Sequence, residues 1–152
     1  MNINSSGGYA EKRAENPSCD AFVAFLLIPQ EELRASEKIN IWRARSLAEK
    51  IESEGVWSVP ILVEKHHNVV MDGHHRLWAA KELGLRRVPC MVTDYDNPHL
   101  SLTRWVSGEA FLPGDVIKAG KTGELLDYKT TRHIFSKKLA FPKYSVFELR
   151  QG

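Results

Sequence analysis

The chain has 152 residues, enough for one domain with a real core and too few for two comfortable ones. Hydrophobic residues make up 43% and charged residues 26%, as in ordinary globular domains, and a net charge of +2 excludes a protein-wide basic field for nucleic acid or membranes. Two distant cysteines, Cys19 and Cys90, exclude a disulfide scaffold and a cysteine-rich zinc site, which fits a reducing, cytoplasmic location.

The first predicted elements follow a polar leader. Residues 1–18 carry Ser-Ser-Gly-Gly and Asn-Pro, so we expect a flexible leader there and a single domain over 19–152. The apolar run at 21–28 is too short to cross a bilayer and is predicted to be a buried strand that ends at a proline. Apolar residues then recur at three and four positions, which predicts an amphipathic helix over 36–54 that ends at Gly55.

The rest of the chain mixes strands and helices. In order, the patterns predict two strands joined as a hairpin, a helix, a strand and two helices, at 59–64, 68–72, 75–83, 87–96, 98–107 and 113–120. The last part, which carries Lys-Thr-Thr-Arg-His at 129–133, is predicted to be irregular. This order of elements indicates an α+β fold with a small mixed sheet and flanking helices.

The Asp-Gly-His-His-Arg motif at 72–76 stands where a predicted strand turns into a helix. Gly73 permits a tight turn, and the first turn of the helix has unpaired N–H groups and a partial positive charge. With Arg76, and with His74 and His75 if they are protonated, this turn suits a polyphosphate. Asp72 at the strand end can coordinate Mg²⁺ together with phosphate oxygens.

The same motif has plainer interpretations. Asp72 can be a helix N-cap, a role that contributes about 1 kcal/mol. The adjacent histidines are weak zinc ligands, because neighbouring residues on a helix point in different directions and no further ligands stand at zinc spacing. His66 and His67, in the predicted hairpin turn, are expected to face solvent.

Three other groups of residues carry chemistry. Residues 129–133 place Lys129, Thr130, Thr131, Arg132 and His133 together, which suits a carboxylate or phosphate, although spacing alone slightly favours a solvated basic loop. Glu31 and Glu32 directly follow a strand-ending proline, where a carboxylate can act as a general base or simply face water. Trp105 is a candidate pocket wall or a core residue.

These features together resemble a known group of proteins. A proline-capped strand, a helix, the Pro-Ile-x-Val pattern that ends at Val63, a hairpin and Asp-Gly-His-His-Arg are similar to the ParB/sulfiredoxin-like superfamily, roughly over 21–96. With the later Lys-Thr-Thr-Arg-His, the chain resembles the free L-serine kinases, including the type found in siderophore-precursor synthesis. Sulfiredoxins have a cysteine where this chain has His74, so their thiol chemistry is not expected.

The resemblance implies roles for individual residues. Asp72, Gly73, His74, His75 and Arg76 would bind nucleotide phosphates, with Asp72 facing Mg²⁺. The general base would be Glu31, or Glu32 if the alignment slips by one residue. The amino acid or its transferred phosphate would be contacted by Trp105, Lys129, Thr130, Thr131, Arg132 and His133.

The implied activity is phosphoryl transfer from ATP or ADP to the hydroxyl of free L-serine, giving O-phospho-L-serine. The alternative is a nucleotide-binding regulatory module of the ParB-like type that acts on DNA or a protein partner. Chromosome-partitioning relatives carry Gly-Glu-Arg-Arg and continue into a helix-turn-helix region, which we do not expect in this chain of net charge +2, so specific DNA binding is the weaker interpretation. A relative without activity is the third interpretation, against which Glu31, Asp72 and Arg132 argue.

Overall fold

The computed structural model describes residues 10–11 and 21–151. Its helices are α1 Ile41–Glu54, α2 His74–Glu82, α3 Pro113–Thr122 and α4 Val146–Gln151, with a 3₁₀ turn at Gln30–Glu32. Its strands are β1 Ala10–Glu11, β2 Ala24–Pro29, β3 Val56–Trp57, β4 Ile61–Glu64, β5 Val69–Asp72, β6 Arg87–Thr93, β7 Leu100–Arg104, β8 Thr131–Phe135 and β9 Tyr144–Ser145.

A five-stranded mixed sheet forms the centre of the molecule. Its strand order is β1-β2-β6-β4-β5, and only the β4–β6 pair is parallel. Two small antiparallel pairs, β3–β9 and β7–β8, lie outside it. The predicted α+β class, with a small mixed sheet and flanking helices, is confirmed.

Both faces of the central sheet are covered, which explains why its strands read as continuous apolar runs. One face contributes Ile61, Val63 and Val70 to a large cluster that the helices complete. The opposite face contributes Leu62 and Met71 to a smaller cluster beside the β7–β8 pair. Because β5 is buried up to its last residue, Asp72 emerges from the core at a defined place.

The junction from β5 to α2 is fixed by a glycine. Gly73 has φ +107°, a backbone conformation that L side chains rarely adopt, and a Cβ there would lie 3.2 Å from Ile61 Cγ1. This tight turn starts α2 immediately after the sheet edge. The first turn of α2 therefore lies beside Asp72.

Helix α1 starts later than its apolar spacing predicts. Asn40, not residue 36, is the N-cap, and its Oδ1 accepts a hydrogen bond of 3.1 Å from the Arg43 N–H. Residues 36–40 are consequently an extended segment before the helix. Gly55 ends the helix with φ +71°, as expected.

The region after β6 is where local patterns mislead. The predicted helix over 98–107 is wrong, since residues 100–104 form strand β7. The segment predicted to be irregular contains strand β8, which pairs antiparallel with β7 so that Leu102 faces His133. These strands are some thirty residues apart in the chain, and such non-local pairing leaves no signal in either segment alone. The predicted helix at 113–120 is confirmed by α3.

The predicted leader over 1–18 lies outside the described residues except for Ala10–Glu11, which form strand β1 on the sheet edge beside β2. Cys19 also lies outside them, and Cys90 is a buried free thiol in β6. In the part of the chain that the structure describes, every helix is too short or too polar to cross a membrane.

Candidate active site

A cavity of about 980 Å³ opens between helix α1, the start of α2 and the β7–β8 pair. Its walls include Glu37, Lys38, Arg43, Asp72, Gly73, His74, His75, Arg76, Trp105, Tyr128, Lys129, Thr131, Arg132 and His133. The two predicted motifs, at 72–76 and 129–133, therefore meet at one place although they lie far apart in the sequence.

Asp72 and Arg76 interact electrostatically at the start of α2. Burial against the cavity walls raises the pKa of Asp72, and the positive charge of Arg76 opposes that rise. Burial lowers the pKa of Arg76, which Asp72 opposes, and an arginine remains charged at neutral pH. A carboxylate and a guanidinium beside free helical N–H groups form a site for phosphate and a hard cation.

His74 is buried and neutral. It is 8% exposed, and burial lowers its pKa to about 3. Its Nε2 accepts a hydrogen bond of 3.0 Å from the backbone N–H of Ser36. Although it lines the cavity, His74 cannot supply the positive charge that its place in the motif suggested.

His75 makes the same kind of contact one residue later. Its Nε2 accepts a hydrogen bond of 3.0 Å from the backbone N–H of Asn40, and its ring lies edge-on to Tyr128. Burial lowers its pKa, and the nearby positive charges of Arg43 and Arg76 lower it further. Within this motif, Arg76 is the side chain that carries positive charge to the cavity.

Glu37 lies in the cavity wall between these two contacts. Its Oε1 accepts hydrogen bonds from the N–H and the hydroxyl of Thr131, at 3.0 and 2.8 Å, and its Oε2 accepts one of 3.1 Å from the Lys129 N–H. Burial raises the pKa of Glu37; those hydrogen bonds oppose the rise, and the negative charge of Asp72 adds to it. Glu37 is thus an oriented carboxylate with raised basicity, near Asp72 and inside the cavity.

A cationic corner surrounds Trp105. The ring lies 5.1 Å from Lys129 Nζ and 4.8 Å from Arg132 Cζ, which is cation–π distance. Trp105 is 42% exposed, so it is a wall of the cavity and not a core residue. This corner suits a small anionic group such as a carboxylate.

His133 closes the inner side of the cavity. Its Nε2 lies 2.8 Å from the Tyr95 hydroxyl, and burial lowers its pKa to about 4. The ring is therefore neutral and hydrogen-bonded to the hydroxyl. Its Nδ1 is buried and has no hydrogen-bond partner among the residues that the structure describes.

Two predicted site residues lie elsewhere. Glu31 is exposed in the 3₁₀ turn after β2 and lines a separate depression with Arg86 and Arg87, and its neighbour Glu32 lines neither cavity. The Thr130 hydroxyl donates to the Asp127 carbonyl, and this residue lines a different depression. Glu31 therefore does not line the cavity that contains Asp72, and its position does not agree with a role there.

Sequence reasoning missed Glu37 because it counted residues 36–54 as one helix. In a helix over 36–54, Glu37 would be an ordinary acidic residue of the first turn. The cap at Asn40 was the available signal, since an asparagine before an apolar helical pattern indicates that the helix starts after it. Arg43 and Tyr128, joined by a 3.1 Å hydrogen bond in the cavity wall, were also missed.

Metal coordination by protein alone is not supported at this cavity. Within residues 10–11 and 21–151, no group of three or more His, Cys, Asp or Glu side chains could hold a metal ion. Asp72 on its own fits the way Mg²⁺ is usually held beside nucleotides, by one carboxylate together with phosphates and water.

The chain is similar to proteins of known family. The family model described as ParB N-terminal domain matches residues 23–104. An ATP-dependent L-serine kinase of Staphylothermus marinus is 40% identical over 84 residues, 53% of this chain and 33% of that protein. An ATP-dependent L-serine kinase of Desulfurococcus mucosus is 36% identical over 101 residues, 62% of this chain and 38% of that protein. The matches thus span 33% and 38% of the length of these two relatives.

Solved structures share the fold. A mutant of free serine kinase in complex with ADP superposes with a TM-score of 0.75 at 14% identity, covering 91% of this chain and 95% of that one. At 91% coverage, this likeness in fold extends over most of the chain.

Proposed function

We propose that this chain, which belongs to the ParB N-terminal domain family, is a nucleotide-dependent kinase that phosphorylates the hydroxyl of free L-serine. The observation that carries the proposal is the meeting of Glu37, the Asp72–Arg76 turn and the cationic corner in one cavity. A phosphate-binding module without chemistry needs no half-buried, oriented carboxylate. The names of the two relatives support the same activity.

The nucleotide phosphates would lie at the start of α2. The free N–H groups of that turn and Arg76 would bind them, and Asp72 would hold Mg²⁺. Bound Mg²⁺ supplies charge neutralisation at the phosphates. Gly73, with φ +107°, lets the chain pass directly from Asp72 into that helical turn.

Glu37 is the general base in this proposal. Three of its lone-pair directions are occupied by the Thr131 and Lys129 donors, which leaves Oε2 able to accept one more proton. The serine hydroxyl gives its proton to that oxygen as the new O–P bond forms to the terminal phosphorus of the nucleotide. The bond from that phosphorus to the bridging oxygen breaks, and the shortened nucleotide leaves.

The cationic corner is proposed to set amino-acid specificity. Lys129 and Arg132 on either side of Trp105 would bind the serine carboxylate. The indole ring would then pack against the short side chain. Of the residues predicted for substrate binding, Thr131 has its hydroxyl committed to Glu37, so its contribution is to orient the base.

The direct test is an assay of phosphoserine formation from L-serine with Mg²⁺ and either ATP or ADP. Both donors are included because the similar kinases are named as ATP-dependent, whereas a structure of the same fold contains ADP. Phosphoserine formed with one of the two nucleotides supports the proposal. Absence of phosphoserine with both nucleotides contradicts it.

A matched pair of variants tests the base. Glu37→Gln should lower kcat by about 100-fold or more, because an amide cannot take up the serine proton and its NH₂ group would also face a backbone N–H that the carboxylate accepts from. The nucleotide Kd should stay unchanged, since Glu37 has no nucleotide contact in this proposal. Glu31→Gln is the control and should keep full activity, since Glu31 is exposed outside the cavity. Loss of activity in the Glu31 variant alone would return the role to the residue first predicted.

A further inference from the structure

The two histidines of the Asp-Gly-His-His-Arg motif make hydrogen bonds to segment 36–40. Their position in the motif had suggested contacts with phosphate instead. Ser36 N–H donates to His74 Nε2, and Asn40 N–H donates to His75 Nε2, each at 3.0 Å. We call these two contacts the histidine clamp. They hold the two ends of the extended segment 36–40, and Glu37 lies between them.

The geometry fixes the state of both rings. A backbone N–H can only donate, so each Nε2 must be the unprotonated nitrogen and each ring a neutral acceptor. The spacing also fits, because adjacent residues at the start of α2 project in different directions and reach two amides four residues apart. A single histidine could hold only one end of the segment.

Other contacts hold the segment from its sides. The Ser36 hydroxyl donates to the Val70 carbonyl at 2.7 Å, which ties the segment to β5. Lys38 N–H donates to the Leu126 carbonyl, and Leu126 N–H to the Ser36 carbonyl, at 2.8 and 2.9 Å. Segment 36–40 has no regular structure of its own, so these contacts and the clamp determine where it lies.

We infer that His74 and His75 are positioning residues, which fix the catalytic carboxylate of Glu37 relative to the phosphate-binding turn by accepting the Ser36 and Asn40 amides. This inference rests on the proposed kinase function for its catalytic consequence, but the clamp itself is a structural claim. It assigns phosphate contact within the motif to Arg76 and the helix N–H groups. The base and the phosphate site are thereby built from the same helical turn.

The structural test uses NMR of the intact ¹⁵N-labelled protein. Both rings should be neutral with the proton on Nδ1, and a coupling through the hydrogen bond should join each Nε2 to its amide nitrogen, in Ser36 and Asn40. Protonated Nε2 atoms, or absence of both couplings, would overturn the clamp. The NMR result does not depend on whether phosphoserine is formed. The clamp and the proposed function can therefore be contradicted separately.

The functional test compares variants of His75, which is less buried than His74 and easier to replace. His75→Leu keeps much of the volume but removes the acceptor, and it should lower kcat by about 100-fold, the scale of a displacement near 1 Å at a reacting group. His75→Gln restores an acceptor and should recover part of the lost kcat. Nucleotide Kd should stay unchanged in both variants.

His66→Leu is the matched control, because that ring is exposed in the β4–β5 turn, and its kcat should equal that of the unmodified protein. If His75 instead binds phosphate, His75→Leu would weaken the nucleotide Kd and leave kcat nearly unchanged, which would overturn the inference. Equal kcat in the Leu and Gln variants would overturn it as well. For His74, whose replacement can unfold the core, the NMR arm is the deciding measurement.

Discussion

At the residue scale, Glu37 shows how environment and not residue type selects a general base. Glu31, Glu32 and Glu37 all precede α1, and only Glu37 lines the cavity with its carboxylate bonded from three donors. Burial raises its pKa and the donors restrain that rise, which makes the carboxylate a stronger base than an ordinary glutamate. Exposed Glu31 has no such environment.

The pH dependence of activity should report this environment. The base works only when deprotonated, so kcat/KM falls as pH drops through the pKa of Glu37, and the raised pKa places that fall above the ordinary glutamate range. Thr131→Val removes the hydroxyl donor that favours the charged form and should move the fall to still higher pH. Thr131→Ser keeps the donor and should not, and identical profiles for all three proteins would contradict the assignment.

At the element scale, the β5–Gly73–α2 junction sets the site. The strand delivers Asp72, the glycine turns the chain, and the next two residues hold segment 36–40. These roles explain why an acid, a glycine and two histidines are adjacent in the sequence. Each has a separate task within one turn.

Replacing Gly73 tests the junction. Gly73→Ala should lower the free energy of unfolding by about 1–3 kcal/mol, because its φ of +107° is strained for alanine and the new Cβ meets Ile61. Gly84→Ala is the control: it shares a positive φ of +70° but has open space around it, so only the conformational penalty applies. Urea unfolding measures both, and a larger loss at Gly84 would contradict the packing argument.

At the scale of the whole molecule, the cavity exists only because the β7–β8 pair packs beside the central sheet. This pair brings Trp105 and the 129–133 motif to the start of α2. His133 of β8 is hydrogen-bonded to the Tyr95 hydroxyl at 2.8 Å, which joins the two parts. Protonation would place a charge on this ring, whose pKa burial lowers to about 4.

Stability should therefore fall in mild acid. The folded-state pKa of His133 is about 4, below the ordinary 6.5, so the unfolded chain binds more protons between these values and unfolding becomes easier as pH falls. From pH 7 to pH 5 the loss due to this group is about 2 kcal/mol. His133→Gln should show a loss smaller by that amount in urea unfolding at the two pH values; equal losses would contradict the assigned pKa.

The sequence by itself determined the α+β class, the hairpin, the β5–α2 turn and the two motifs, because each of these rests on short-range patterns of apolar spacing and glycine. Segment 36–40 and the strands β7 and β8 were decided only by tertiary structure. Their pairings join residues 27 or more positions apart, so neither partner carries a local signal. For the same reason, the choice of Glu37 over Glu31 required the folded chain: the two glutamates differ in what surrounds them, not in their local sequence.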